Sequence, residues 1–164
     1  MNSNVKIYGH GALQCWNRGG TLAWRRTFSN APTAIGLDYL ANAGFTGGAQ
    51  QATWYIGLMD LLGFSALALT DTMASHIGWR ENVMYTGNRP TWTNAESGQQ
   101  VSSNGVFTFP ITGIATLHGL FVVSNNTLGG TSGILWATAL LSSDAAISPG
   151  QNLTGNYTLA FGGS

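Results

Sequence analysis

The chain has 164 residues, six basic and six acidic side chains, no net charge and a pI near 6.8, a length that suits one ordinary domain. That balance lacks the electrostatic footprint of a nucleic-acid partner, offers no polybasic run for a membrane surface, and the lone Cys15 excludes an internal disulfide framework. Charged residues make up 7% of the chain, against about 25% in typical soluble domains. Hydrophobic and aromatic contents of 44% and 11% argue for a packed core over disorder. A surface so poor in charge is expected to be covered by neighbours.

Residues 1–4 are polar, with no basic start followed by an apolar run, which argues against a secretory leader. Val5, Ile7, Leu13 and Cys15 alternate with polar or small residues, and Asn17-Arg18-Gly19-Gly20 reads as a turn. Leu22 and Trp24 then resume the period of two, which predicts a hairpin, or a projecting arm, within residues 1–32. Thr33 is placed to cap one short helix over residues 34–43, with Gly44 at its exit. Trp54-Tyr55-Ile56-Gly57-Leu58 reads as a buried strand. The apolar stretch 54–69 is interrupted by Gly57, Asp60 and Gly63 and is too short to cross a bilayer. Its end, residues 66–69, suits either a strand or a helical turn.

Residues 70–100 are polar, aromatic and irregular, a length that often carries a contact role; a short strand at Thr91-Trp92-Thr93 fits inside them. Strands follow over residues 106–109, 113–123, 134–141 and 153–161, with Ile114, Leu117 and Phe121 available for the core. Ser148-Pro149-Gly150 supplies a turn, since proline presets φ and glycine accepts a positive one. Strands punctuated by Gly, Asn and Pro at this interval predict an all-β fold, a jelly-roll-like or Ig-like β-sandwich spanning residues 1–164 with one short α-helix near residues 34–43.

Sites for chemistry are thin. His10, His76 and His118 share no metal-ligand spacing and have no cysteine pair beside them. Asp71, Ser75 and His76 are triad residue types, but adjacent Ser and His rarely face one another and no G-x-S-x-G elbow surrounds them. No glycine pattern cradles a nucleotide. The expectation is a protein without catalytic, metal or cofactor sites. Of the six tryptophans, Trp24, Trp54 and Trp136 fall in predicted strands and suit the core, whereas Trp79 and Trp92 are the better placed for exposure, as a shelf that could stack on sugar. Asp71, Thr72, Ser75, His76, Gly78, Trp79, Arg80 and Glu81 form the most distinctive string. Its residue types favour a self-bonded loop clamped under Trp79 over a direct partner contact.

This string, with the W-Y-I-G-L run before it and Tyr85 and R-P-x-W (Arg89 to Trp92) after it, resembles a family of tailed-bacteriophage proteins. The likeness extends to Leu22-Ala23-Trp24, to Gly36 and Leu37, and to the C-terminal F-x-I-T, G-x-F and P-G elements. It implies a virion structural protein, similar to the capsid decoration (cement) proteins that bind outside the shell and bridge neighbouring major capsid protein subunits. It further implies a homo-oligomer, dimer or trimer, carried on the capsid surface and made in the bacterial host cytoplasm. Trp16, Trp24, Arg25 and Arg26 are the candidate partner contact, where a spare strand edge suits pairing with a partner arm. A tail or head–tail connector component and a host-glycan binding module are the alternatives.

Overall fold

The computed structural model describes residues 5–163; the start of the expected arm, residues 1–4, lies outside them. Strands β1 (Val5–Trp16) and β2 (Leu22–Pro32) form the expected antiparallel hairpin, turning at Gly20 with φ of 82°. Helix α1 (Ala34–Phe45) follows, and the Thr33 hydroxyl accepts the Gly36 amide at 3.1 Å. The helix continues through the expected exit at Gly44. Gly47, with φ of 78°, is the residue that takes the left-handed conformation after it. Six further strands are β3 (Tyr55–Asp60), β4 (Asn94–Ser97), β5 (Gln100–Ser103), β6 (Phe107–Pro110), β7 (Ala115–Val123) and β8 (Leu135–Ile147). The last, β9 (Asn152–Gly163), pairs with β1 along its whole length.

All pairings are antiparallel, and the strands make one curled sheet in the order β3-β7-β8-β2-β1-β9-β5-β4, with β6 also against β9. The fold is therefore all-β and sandwich-like, with a single short helix. The N-terminal hairpin occupies the middle of this sheet, between β8 and β9, and does not project as an arm. Its glycines make that possible. A Cβ on Gly11 would lie 2.1 Å from the Asn156 carbonyl oxygen of the neighbouring strand.

The irregular segment 80–92 closes the sheet. Its backbone bonds along the outer edge of β3, through Asp60 N–H to Arg80 C=O, Asn82 N–H to Leu58 C=O and Trp92 N–H to Trp54 C=O. The same segment reaches β6 through Thr86 N–H to Pro110 C=O and Thr112 N–H to Met84 C=O. Hydrogen bonding thus runs full circle, from β3 through β7, β8, β2, β1, β9 and β6 back to β3. An exposed edge strand is an aggregation hazard, and here a loop removes it.

Closure gives β3 and β7 two buried faces. Ile56, Leu58, Leu120 and Val122 point into the main core with Leu13, Cys15, Phe109 and Tyr157. The alternate residues Met59, Phe121 and Val123 point outward into a second core, where Met73, Trp79 and Leu135 cover them. Gly57 belongs to this outward face, and a Cβ there would meet the Phe121 ring at 2.1 Å. Gly57→Ala is expected to cost about 1–3 kcal/mol by overpacking, read as a lowered urea midpoint with an unchanged m-value. Ile114, expected in the core, is 78% exposed, because β7 begins one residue later. Residues 66–69 are neither strand nor helix.

Candidate functional site

The string at 71–81 folds on itself around Trp79, which is 3% exposed. The indole N–H donates to Asp71 Oδ2 at 2.9 Å, and the same oxygen accepts the Ala68 amide at 2.9 Å. The His76 ring stacks on the indole with centroids 3.9 Å apart, while its Nδ1 lies 2.9 Å from the Trp79 carbonyl oxygen. Thr72 Oγ1 accepts the Ser75 amide at 3.0 Å. Gly78 passes so close to residue 66 that a Cβ would lie 2.1 Å from the Ala66 carbonyl oxygen. His76 is committed to a carbonyl and Asp71 to an indole, and among the described residues neither bonds to Ser75.

Arg80 and Glu81, adjacent opposite charges, take different partners. Arg80 pairs with Asp60 at 3.1 Å near the surface. Glu81 pairs with Arg89, whose side chain is fully buried, in a two-pronged bridge: Nε to Oε1 at 2.8 Å and Nη2 to Oε2 at 2.7 Å. Arg89 also donates to the carbonyls of Asn125 and Gly130, at 2.9 and 2.8 Å, and Glu81 accepts the Gly129 amide. The guanidinium lies 5.3 Å from the Phe121 ring centroid. Buried charge is tolerated only when paired and hydrogen-bonded, and this pair ties the closing segment to the loop before β8. Burial, with Glu81 adding and Arg89 opposing, pushes the neighbouring Tyr85 phenol well above its ordinary value. Burial likewise pushes the Cys15 thiol up to about 11.

Of the candidate contact residues, Trp24, Arg25 and Arg26 lie on β2 beside a break in its ladder with β8, where the Thr27 amide donates instead to Ser142 Oγ at 3.3 Å, and Trp16 lies on β1. β2 pairs with β8 from Phe28 to Pro32, but residues 22–27 have no ladder neighbour on that side. The gap arises because β8 bulges. Leu117 of β7 pairs with Ala145 and Gly119 with Leu140, so the intervening residues of β8 swing outward, with Asp144 2.5 Å from His118 Nδ1. Trp24 spans the gap, its indole donating to the Ala146 carbonyl at 2.8 Å. Trp16 lies on the opposite face and donates to Thr154 Oγ1 at 2.9 Å. Arg25 is exposed, and Arg26 lies over the Trp24 ring with its Nη1 donating to the Arg25 carbonyl at 3.0 Å. Arg26 Nε is buried without a partner, and among the described residues neither arginine meets a carboxylate.

Trp79 and Trp92, the tryptophans better placed for exposure, form no shelf. Trp79 is buried as described, and Trp92 is 5% exposed, its indole donating to Ser103 Oγ and the Tyr157 carbonyl. Polar neighbours disguised both, since their ring N–H groups find partners inside. Aromatic rings do share a cavity under α1, lined by Tyr39, Trp54, Trp92, Trp136 and Phe161, but its volume is about 130 Å³. Small-molecule sites run to roughly 300–1,000 Å³.

One surface went unread in the sequence. An open cleft of about 520 Å³ is lined by Leu61, Leu62, Met84 and Ile114, with the Asp60–Arg80 pair on its wall. Leu62 is 67% and Ile114 78% exposed beside it, which makes the cleft a candidate contact surface. Among the described residues no three His, Cys, Asp or Glu side chains gather to hold a metal ion, and no helix is long and apolar enough to cross a membrane. Compared with known proteins, the sequence matches no family model and no curated protein.

Proposed function

We propose that this chain is a structural component of a tailed-phage virion, a capsid decoration protein that seats its apolar cleft on the major capsid protein. The observation that carries this reading is the exposure of Leu62, Met84 and Ile114 around one cleft, on a chain whose charged residues are too few to keep such a surface wet. Decoration needs modest contacts repeated over many copies, so that multivalency supplies the hold. An apolar centre beside one polar pair suits the core-and-rim build of such interfaces. The physical task is to bridge neighbouring subunits and resist the pressure of packed DNA.

Cryo-electron microscopy of the virion that carries this chain tests the reading. Its density is expected over the outer shell, touching two capsid subunits per copy through the cleft, and Ile114→Asp is expected to reduce its occupancy about tenfold or more by desolvating a charge in the contact. Density confined to the tail or portal axis would sink it in favour of a tail or connector component.

A further inference from the structure

Three side-chain carboxylates among the described residues are withdrawn from solvent, and two of them hold an arginine. Asp60 pairs with Arg80 and Glu81 with Arg89, whereas Asp71, 7% exposed, pairs with no basic side chain among the described residues. Both hydrogen bonds of its carboxylate fall on Oδ2, from the Trp79 indole and the Ala68 amide, so Oδ1 is left without a donor. A buried charge calls for a counter-charge as well as hydrogen bonds. Asp71 lines a surface pocket of about 270 Å³ together with Ala66, Ala68, Thr70, Ser75 and Ile77. Small-molecule sites start at roughly 300 Å³, so this pocket is scaled to a single side chain. Its walls are already fixed. The His76 ring is stacked on Trp79, Thr72 Oγ1 holds the Ser75 amide, and Gly78 is pressed against the Ala66 carbonyl. Ile77 stands at the rim, 97% exposed.

We infer that this pocket receives a lysine side chain of a partner protein, its ammonium on Asp71 Oδ1 and its aliphatic stem along Ile77. Charge complementarity names the occupant. An ammonium carries three donors and no acceptor; Asp71 supplies the counter-charge, and Ser75 and Thr70 on the same lining add hydroxyl acceptors. The four-carbon stem of lysine needs apolar contact, which Ile77, Ala66 and Ala68 provide. Arginine suits the pocket less well. Its planar fork grips a carboxylate through both oxygens, as Arg89 grips Glu81, and Asp71 has one oxygen to offer. The self-bonded loop around Trp79 is then a preformed receptor, and little ordering is lost when it binds. The inference stands apart from the capsid reading, since a lysine on a protruding segment of any partner protein satisfies it.

The test is a nuclear magnetic resonance titration of the isotope-labelled full chain with Nα-acetyl-lysine methylamide, read at the Trp79 indole N–H, because that group bonds to the same carboxylate. A saturable shift is expected, with half-saturation at about 1–10 mM for so small a probe. The norleucine analogue, which keeps a stem without the charge, and sodium chloride at equal ionic strength are expected to leave the resonance in place. The arginine analogue is expected to bind about threefold or more weakly. Asp71→Asn keeps an oxygen for the Trp79 indole and the Ala68 amide while removing the charge, and it is expected to weaken binding about tenfold or more. Ile77→Ala, at an exposed position outside both cores, is expected to weaken it about threefold by shortening the seat of the stem, and it reports even where Asp71→Asn is destabilised. No shift with the lysine probe overturns the inference. A shift matched by the norleucine analogue or by salt, one unaltered in both variants, or tighter binding of the arginine analogue also overturns it.

Discussion

Arg89→Met is expected to lower folding stability by about 3–5 kcal/mol, because it strands the Glu81 carboxylate in the interior. For a domain of this size that corresponds to a fall in Tm of about 6–20 °C, at roughly 2–4 °C per kcal/mol. The buried guanidinium engages a carboxylate through two nitrogens and satisfies two carbonyls of the loop before β8. A hydrophobic replacement of both partners often restores stability where an ion pair is isolated. Here Glu81→Leu combined with Arg89→Met is expected to cost less than the sum of the single changes yet remain below wild type, because the carbonyls of Asn125 and Gly130 would lose their donors. A thermal melt that moves by less than about 2 °C for Arg89→Met would show that the pair contributes little to closure.

Trp79→Ala is expected to cost about 3–5 kcal/mol. The indole covers the outward face of β3 and β7 with Met59, Phe121 and Val123 beneath it, and its removal opens a void next to the Asp71 carboxylate. Trp79→Phe keeps most of the volume but removes the N–H that Asp71 accepts at 2.9 Å, so a loss of about 1–3 kcal/mol is expected for the unsatisfied group. Urea titration followed by far-ultraviolet circular dichroism separates the two. Equal losses for Ala and Phe would assign the whole effect to the hydrogen bond, and no loss for Phe would assign it to packing.

The parts of the fold legible in the sequence are those in which periodicity and turn chemistry agree. The β1–β2 hairpin, the Thr33 cap, and the strands β6 to β9 with Pro149-Gly150 between the last two are of this kind. β4 and β5 were not legible, because Asn94-Ala95-Glu96-Ser97 has no apolar alternation; its strand conformation comes from pairing with β5, which rests on β9. The closing role of residues 80–92 was equally hidden. Their order is imposed by backbone bonds to β3 and β6 that are remote in sequence, and Tyr55↔Thr91 and Tyr85↔Ile111 are isolated bridges. Arg80 and Glu81 are adjacent in sequence, and geometry gives each a partner elsewhere, eight residues on for Glu81 and twenty back for Arg80. The cleft was missed because Leu62, Met84 and Ile114 lie on three separate segments, and only the fold brings them side by side.

The pairing of β1 with β9, from Val5↔Gly163 to Trp16↔Asn152, bears on how the chain is made. At synthesis rates of about 5–20 residues per second, the first of these strands waits several seconds before the second exists. Until then one side of the hairpin, with Leu13 and Cys15 facing inward, has nothing to pair with. Such an order delays folding until β9 has been made and makes it slow, since the decisive contact is among the most distant in sequence. A chaperone that shields the waiting hairpin would raise the yield of folded protein, and removing β9 would leave the central hairpin without the neighbour that holds it.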